Sequence, residues 1–242
     1  MTSGPQAASD AAIAAFAAGR PPMLLLEVVC DPADQARLEC ALSADERARA
    51  ERLRQAPDRL AYIAGRATVR AVLGQCCGVA LTAIEIAVTD HGKPYAPVGP
   101  ALNLSHSGDR VLAAFSWAGE VGVDVERERA LHDLSGLAGR VLSAAERRQV
   151  EAEPAALQAR RFLRFWTRKE ALAKAVGLGL QLDLRTIDAS VTGCVRVGDR
   201  SWRCEDLPGP EGFVAAIACD PALEPPPVVA MTTAEVCRVA GL

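Results

Sequence analysis

The chain is predicted to fold as an α+β protein built from two similar halves with a cleft between them, on three observations. Leu42-Ser43-Ala44-Asp45-Glu46-Arg47 recurs about 100 residues later, a subdomain's length, as Leu142-Ser143-Ala144-Ala145-Glu146-Arg147. Each copy is followed by a basic stretch with apolar residues at helical spacing, 58–73 and 158–176. Short β-rich runs bounded by Gly, Pro or Asp fill the rest, at 24–30, 84–89, 111–117, 121–126, 186–191, 213–219 and 228–232. Duplicated halves meet along a shared face, and a cleft there is the expected ligand site.

Taken in order, residues 1–20 are Ala-rich, without the basic start or dense apolar run of a signal peptide. They read as a loose tail. Residues 21–118 form the first half and 119–242 the second. Both hexapeptides are Ser-x-x-Glu capping boxes, in which the Ser and Glu side chains satisfy the free amides that start a helix. His91-Gly92-Lys93-Pro94-Tyr95 reads as a tight turn with Pro fixing the backbone after Lys93. The stretches 199–210 and 225–227 read as surface loops.

Half of the 242 residues are hydrophobic and 24% are charged, the composition of a globular protein. No run approaches the roughly 20 apolar residues that span a bilayer. A net charge of −3 gives no global pull toward nucleic acid. The charge is uneven, however. Eight arginines face five acids over 37–70, and nine basic residues face four acids over 140–174. Such basic segments suit an anionic small ligand or an acidic partner, though solvated helix faces also account for many of these charges. The eight cysteines include no C-x-x-C pair, so they read as reduced thiols of a cytoplasmic protein rather than a zinc site. Only Lys93, Lys169 and Lys174 of the 27 basic residues are lysines. A compact point charge is therefore expected to matter where they stand.

Val121-Gly122-Val123-Asp124-Val125-Glu126 alternates as a strand, which puts Asp124 and Glu126 on one face and Val123 and Val125 on the other. Two adjacent carboxylates repel unless a positive group lies between them. With a third acid they would suit Mg²⁺, and without one they would be a solvated strand end neutralised by Arg127 and Arg129. Trp166, Glu170 and Lys174 lie four apart and share a helix face. That stripe is either the third carboxylate's platform or a wall with an ordinary Glu–Lys pair.

In Leu102-Asn103-Leu104-Ser105-His106-Ser107-Gly108, hydroxyls flank a histidine. Such groups hold phosphate oxygens. A serine hydrolase is the competing reading, but no G-x-S-x-G elbow is present. Neither a G-x-x-x-x-G-K-[ST] loop nor a G-x-G-x-x-G fingerprint occurs.

GKP at 92–94, LNLSHSG at 102–108, VGVDVE at 121–126 and FWTRKEALAKAVGLGL at 165–180 together resemble, in order and spacing, the surfactin-type 4′-phosphopantetheinyl transferases. The resemblance covers about residues 42–180. It implies two pseudo-symmetric α+β halves with coenzyme A and Mg²⁺ in the cleft, and transfer of the phosphopantetheine arm to a serine of an acyl or peptidyl carrier protein. Asp124, Glu126 and Glu170 match the family's metal-binding acids. Lys93, Ser105 and His106 match residues around the nucleotide and phosphates, and Lys174 a pyrophosphate contact. Arg70 matches an arginine near the 3′-phosphate, with Arg47 and Arg49 as further basic contacts and Lys169 beside them as a coenzyme A contact. Glu46 stands where relatives can be basic, which implies a thinner 3′-phosphate contact. Catalysis falls to Glu170, Lys174, His106 and Asp124, with Glu170 favoured over Glu146 as the base. A monomer is expected, with arginines around Arg147, Arg148, Arg160 and Arg161 steering an acidic carrier. The competing readings are a non-catalytic coenzyme A or carrier-binding module and a Mg²⁺-dependent pyrophosphate hydrolase, and the latter lacks its Glu-crowded helix.

Overall fold

A computed structural model describes residues 5–177 and 182–242. Each half has a long helix laid on a four-stranded sheet, antiparallel throughout in the second half and antiparallel except for one edge strand in the first. In the first, α4 (Ala56–Cys77) covers a sheet of order β10-β1-β5-β4, formed by β1 (Met23–Val29), β4 (Ala101–Ser107), β5 (Arg110–Ser116) and β10 (Val229–Thr232). In the second, α7 (Ala155–Val176) covers the order β6-β9-β8-β7, formed by β6 (Gly122–Arg127), β7 (Gly193–Val197), β8 (Arg200–Leu207) and β9 (Phe213–Cys219). The run β1-β5-β4 thus corresponds to β6-β9-β8, and the duplication visible in two hexapeptides extends to the strand order. Both long helices stop at a glycine in the left-handed region, Gly78 at φ 66° and Gly177 at φ 80°.

The capping boxes form as expected. Ser43 starts α3 (Ala44–Glu51) and Ser143 starts α6 (Ala144–Glu151), each with reciprocal Ser and Glu bonds. Unread in the sequence, Thr232 and Glu235 form a third box at the start of α8 (Thr233–Val239).

Several expectations are corrected. Residues 1–4 lie outside the described residues, but the rest of the expected tail contains α1 (Pro5–Ala17), whose Ile13 and Phe16 are buried in the first core. The alanine-rich composition hid two apolar residues that the core takes. The boundary at 119 also needs revision. Strand β10 pairs in parallel with β1, and Met231, Val236 and Cys237 join the first half's core, so the last 14 residues complete the first half. The 186–191 strand is absent; a 3-10 turn at Leu184–Thr186 precedes bends there. Part of the expected loop 199–210 is instead β8, where Trp202 and Cys204 point inward between polar residues. Of 84–89 only Ala87–Val88 is strand (β2), forming a small hairpin with β3 (Pro94–Tyr95) across the turn at Gly92, φ 81°.

The sheets meet where β4 and β6 run alongside each other. Neither strand pairs its backbone with the other; side chains bridge them. Val123 N–H donates to Asn103 Oδ1 at 2.9 Å, Ser105 to Asp124 at 2.7 Å, and Ser107 to Glu126 at 3.0 Å. A shared core of Met23, Leu25, Leu112, Val123, Val125 and Ile217 closes the face behind this seam. No helix among the described residues is long and apolar enough to cross a membrane.

Candidate active site

The acids stand where β6 passes under α7. Alternation turns Val123 and Val125 into the shared core and sends Asp124 and Glu126 toward the helix. Gly122, on that same face, is what lets the helix come close. A Cβ there would lie 2.1 Å from the Ala171 carbonyl oxygen and 2.4 Å from the Ala175 nitrogen, distances no side chain tolerates.

The helix answers with its stripe. Lys174 Nζ donates to Asp124 Oδ1 at 2.7 Å and to the Val123 carbonyl at 3.1 Å. Trp166 Nε1, its ring stacked on Phe162, donates to Glu126 Oε1 at 3.2 Å. Glu170 lies between them and has no hydrogen bond among the described residues. Burial raises the Asp124 pKa, opposed by Lys174 and Ser105. Burial also raises that of Glu170, helped by the charges of Asp124 and Glu126 and opposed by Lys174. Asp124 Oδ2 is buried and without a partner among the described residues. A cation would satisfy that oxygen and relieve the repulsion among the three acids. Among those residues no group of three His, Cys, Asp or Glu side chains closes into a metal cage by itself. Mg²⁺ ordinarily completes its shell with water and substrate oxygens, so the acids fit this ion as a partial ligand set.

Next to the acids a cavity of about 220 Å³ opens between the halves, lined by the turn His91–Pro94, Asn103, Leu104, Ala173, Lys174 and Gly177. It brings Lys93 and Lys174, far apart in sequence, to one hollow. Lys93 is held there by Glu120. His106 lies on the other face of β4 from Ser105 and keeps an open side to solvent. The protein around its ring lowers its pKa, with Asp58 opposing and Lys174 adding to the effect. The last residues of the long motif, 178–180, lie outside the described residues.

Two expected ligand contacts are corrected. Lys169 is fully buried, 2.9 Å from a fully buried Glu146, and its Nζ donates to the carbonyls of Leu184 and Ile187. Burial pulls its pKa down, opposed by Glu146. Arg70 is its counterpart in the first half. It is 3% exposed, pairs with Glu46 at 2.8 Å, and donates to the carbonyls of Leu81 and Ile84. Each buried cation ties a capping-box glutamate to a 3-10 turn, so neither reaches the cavity. Glu46, read as a departure at a ligand contact, is the partner of that structural arginine. Glu146 also accepts from Ser143 N–H and Ala189 N–H, leaving it no access to a substrate proton. Arg47 and Arg49 remain exposed on α3, outside the cavity lining. Arg47 bonds the Leu42 carbonyl, and Arg49 lies 5.9 Å above the Tyr62 ring. Ser105, expected near a phosphate, spends its proton on Asp124.

Sequence reasoning missed Gly122, Asn103 and the donor role of Trp166, and it gave Ser107 to phosphate where the structure gives it to Glu126. The alternation of Asn103, Ser105 and Ser107 was the available signal for a polar strand face.

Comparison with known proteins finds a matching family for each half. A model described as the 4′-phosphopantetheinyl transferase superfamily matches residues 120–218, and one described as 4′-phosphopantetheinyl transferase, N-terminal, matches 32–117. The chain is 32% identical to the 4′-phosphopantetheinyl transferase HetI of Nostoc sp. over 189 residues, 75% of this chain and 79% of the relative. It is 30% identical to the 4′-phosphopantetheinyl transferase psf-1 of Bacillus pumilus over 190 residues, 78% of each. With the 4′-phosphopantetheinyl transferase AcpT of Salmonella typhi it shares 37% identity over 115 residues, 47% of this chain and 59% of the relative.

Proposed function

The chain belongs to the 4′-phosphopantetheinyl transferase family, and from that premise we propose that its cleft binds coenzyme A and transfers the 4′-phosphopantetheine arm to a serine of an acyl or peptidyl carrier protein. The observation that carries this reading is the convergence of Asp124, Glu126, Glu170 and Lys174 beside the Lys93 cavity. The charges of Asp124 and Glu126 bear on Glu170, a repulsion that a cation would relieve, and a lysine pair at the mouth suits a diphosphate.

The serine hydroxyl oxygen bonds to the β-phosphorus while the bond to the bridging oxygen of 3′,5′-ADP breaks, and 3′,5′-ADP leaves. Such a transfer is governed by positioning and charge neutralisation. Lys174 and Lys93 supply positive charge on the leaving side, preorganised by Asp124 and Glu120. His106 offers a polar contact at the edge of β4. Glu170, the acid without a hydrogen-bond partner among the described residues, takes the serine proton. Magnesium, held by Asp124, Glu126 and Glu170, would supply charge neutralisation on the phosphate oxygens. With both halves in one chain the site is complete in a monomer, and the reading carries with it a cytoplasmic enzyme.

The test is intact-protein mass spectrometry of an apo carrier protein incubated with the enzyme, coenzyme A and Mg²⁺. A gain of one phosphopantetheine arm is expected, lost with EDTA and with Glu170→Ala. An unchanged mass with several unrelated carriers, alongside measurable coenzyme A binding, would establish the non-catalytic reading instead.

A further inference from the structure

We propose that Ser105 and Ser107 are positioning residues for the acid pair, hydroxyls of the first half that orient carboxylates of the second, and are not phosphate ligands. This rests on the reading of Asp124, Glu126 and Glu170 as the magnesium-binding acids.

A serine hydroxyl has one proton to donate. That of Ser105, 7% exposed, goes to Asp124 Oδ1 at 2.7 Å. What remains on Ser105 is lone pairs, which repel a phosphate oxygen. Ser107 is engaged in both directions: it donates to Glu126 Oε2 at 3.0 Å and accepts from Arg127 N–H at 3.1 Å. Strand alternation points 103, 105 and 107 at the seam and turns Leu104 and His106 to the opposite face. The consequence at the acids is specific. Ser105 and Lys174 both anchor Asp124 Oδ1, which leaves the buried Oδ2 as the unoccupied oxygen. Trp166 holds Oε1 of Glu126 while Ser107 and the more exposed Arg129 both donate to Oε2, and together they fix the plane of its carboxylate. Partners of this kind set ligand orientation, and losing one weakens metal binding.

Asn103 is the internal control. It bridges the same seam through Val123 N–H but touches neither carboxylate. A merely mechanical role for the seam would make all three residues equivalent.

The experiment measures Mn²⁺ binding to the full chain by electron paramagnetic resonance, without coenzyme A, since carboxylate sites for Mg²⁺ also accept Mn²⁺. Coenzyme A binding is measured separately by calorimetry in EDTA. Ser105→Ala and Ser107→Ala should each weaken Mn²⁺ binding roughly tenfold or more, while coenzyme A affinity stays within about twofold. Ser105→Thr should restore Mn²⁺ binding, and Asn103→Ala should lower the melting temperature with Mn²⁺ affinity largely kept. Serine variants that bind Mn²⁺ like the parent but lose coenzyme A would make them phosphate ligands and overturn the proposal. An Asn103→Ala loss as large as theirs would overturn it too, since the seam itself would be the cause. Absence of Mn²⁺ binding in the unmodified protein, with coenzyme A added as well as without it, would bring down the magnesium reading, and the proposal with it.

Discussion

Lys169 and Glu146 lie 2.9 Å apart with no solvent exposure, so neither charge has water to replace a lost partner. Breaking such a pair costs more than the pair contributes, because the survivor stays buried and charged. Lys169→Ala is expected to destabilise the protein by about 3–5 kcal/mol in urea unfolding. Arg70→Ala should fall in the same range, since its guanidinium serves Glu46 in the same way. A coenzyme A affinity that collapsed in a Lys169→Ala protein of near-normal stability would return Lys169 to the ligand set. His106 carries a separate expectation. Its folded pKa lies below the ordinary 6.5, chiefly because the protein on the ring's covered side disfavours the charged form, with Lys174 adding to this and Asp58, Glu126 and Asp124 opposing. The unfolded chain therefore binds this proton more readily than the folded one. The stability present above pH 6.5 is lost as pH falls through the depressed value. His106→Gln should accordingly show a smaller drop in melting temperature between neutral pH and mild acid. An identical drop in both proteins would remove His106 from the acid response.

At the scale of elements, the contact between β6 and α7 decides the site. The strand contributes Gly122, Asp124 and Glu126 from one face, and the helix contributes Trp166, Glu170 and Lys174 from one stripe. Gly122 sets how closely they approach. Gly122→Ala would press a methyl group into the Ala171 carbonyl, a backbone atom that moves only if the helix does. Overpacking of this kind costs about 1–3 kcal/mol. The helix shift would separate Lys174 from Asp124, so turnover should fall further than stability does. Melting temperature and kcat measured on one preparation would check this, and parent-like kcat would mean the contact is looser than its geometry.

For the whole molecule, the returning C-terminus matters most. Strand β10 and helix α8 are distant in sequence from the sheet and core they complete. A fragment of residues 21–118 would lack them and α1, leaving Leu26, Val28 and Leu38 partly uncovered. It is expected to unfold without a cooperative transition in urea, followed by circular dichroism. A sigmoidal transition with a normal slope would show that the first half is an autonomous domain.

The duplication, the two long helices, the capping boxes and the acid stripe were legible in the sequence because each rests on local spacing. Alternation alone places Asp124 beside Glu126, and a four-residue period alone places Glu170 between Trp166 and Lys174. The roles of the buried cations were not legible. Arg70 and Lys169 read as ligands because a charge in a motif gives no sign of what it faces, and their partners lie 24 and 23 residues away in sequence. The hydroxyls of β4 read as phosphate contacts because its polar face is covered by the other half, a contact that no local pattern encodes. The sequence by itself determined which side chains share a face. Only the tertiary structure decided which faces meet, because that depends on burying both sheets' apolar sides at once, and a buried polar group takes whichever partner this packing brings to it.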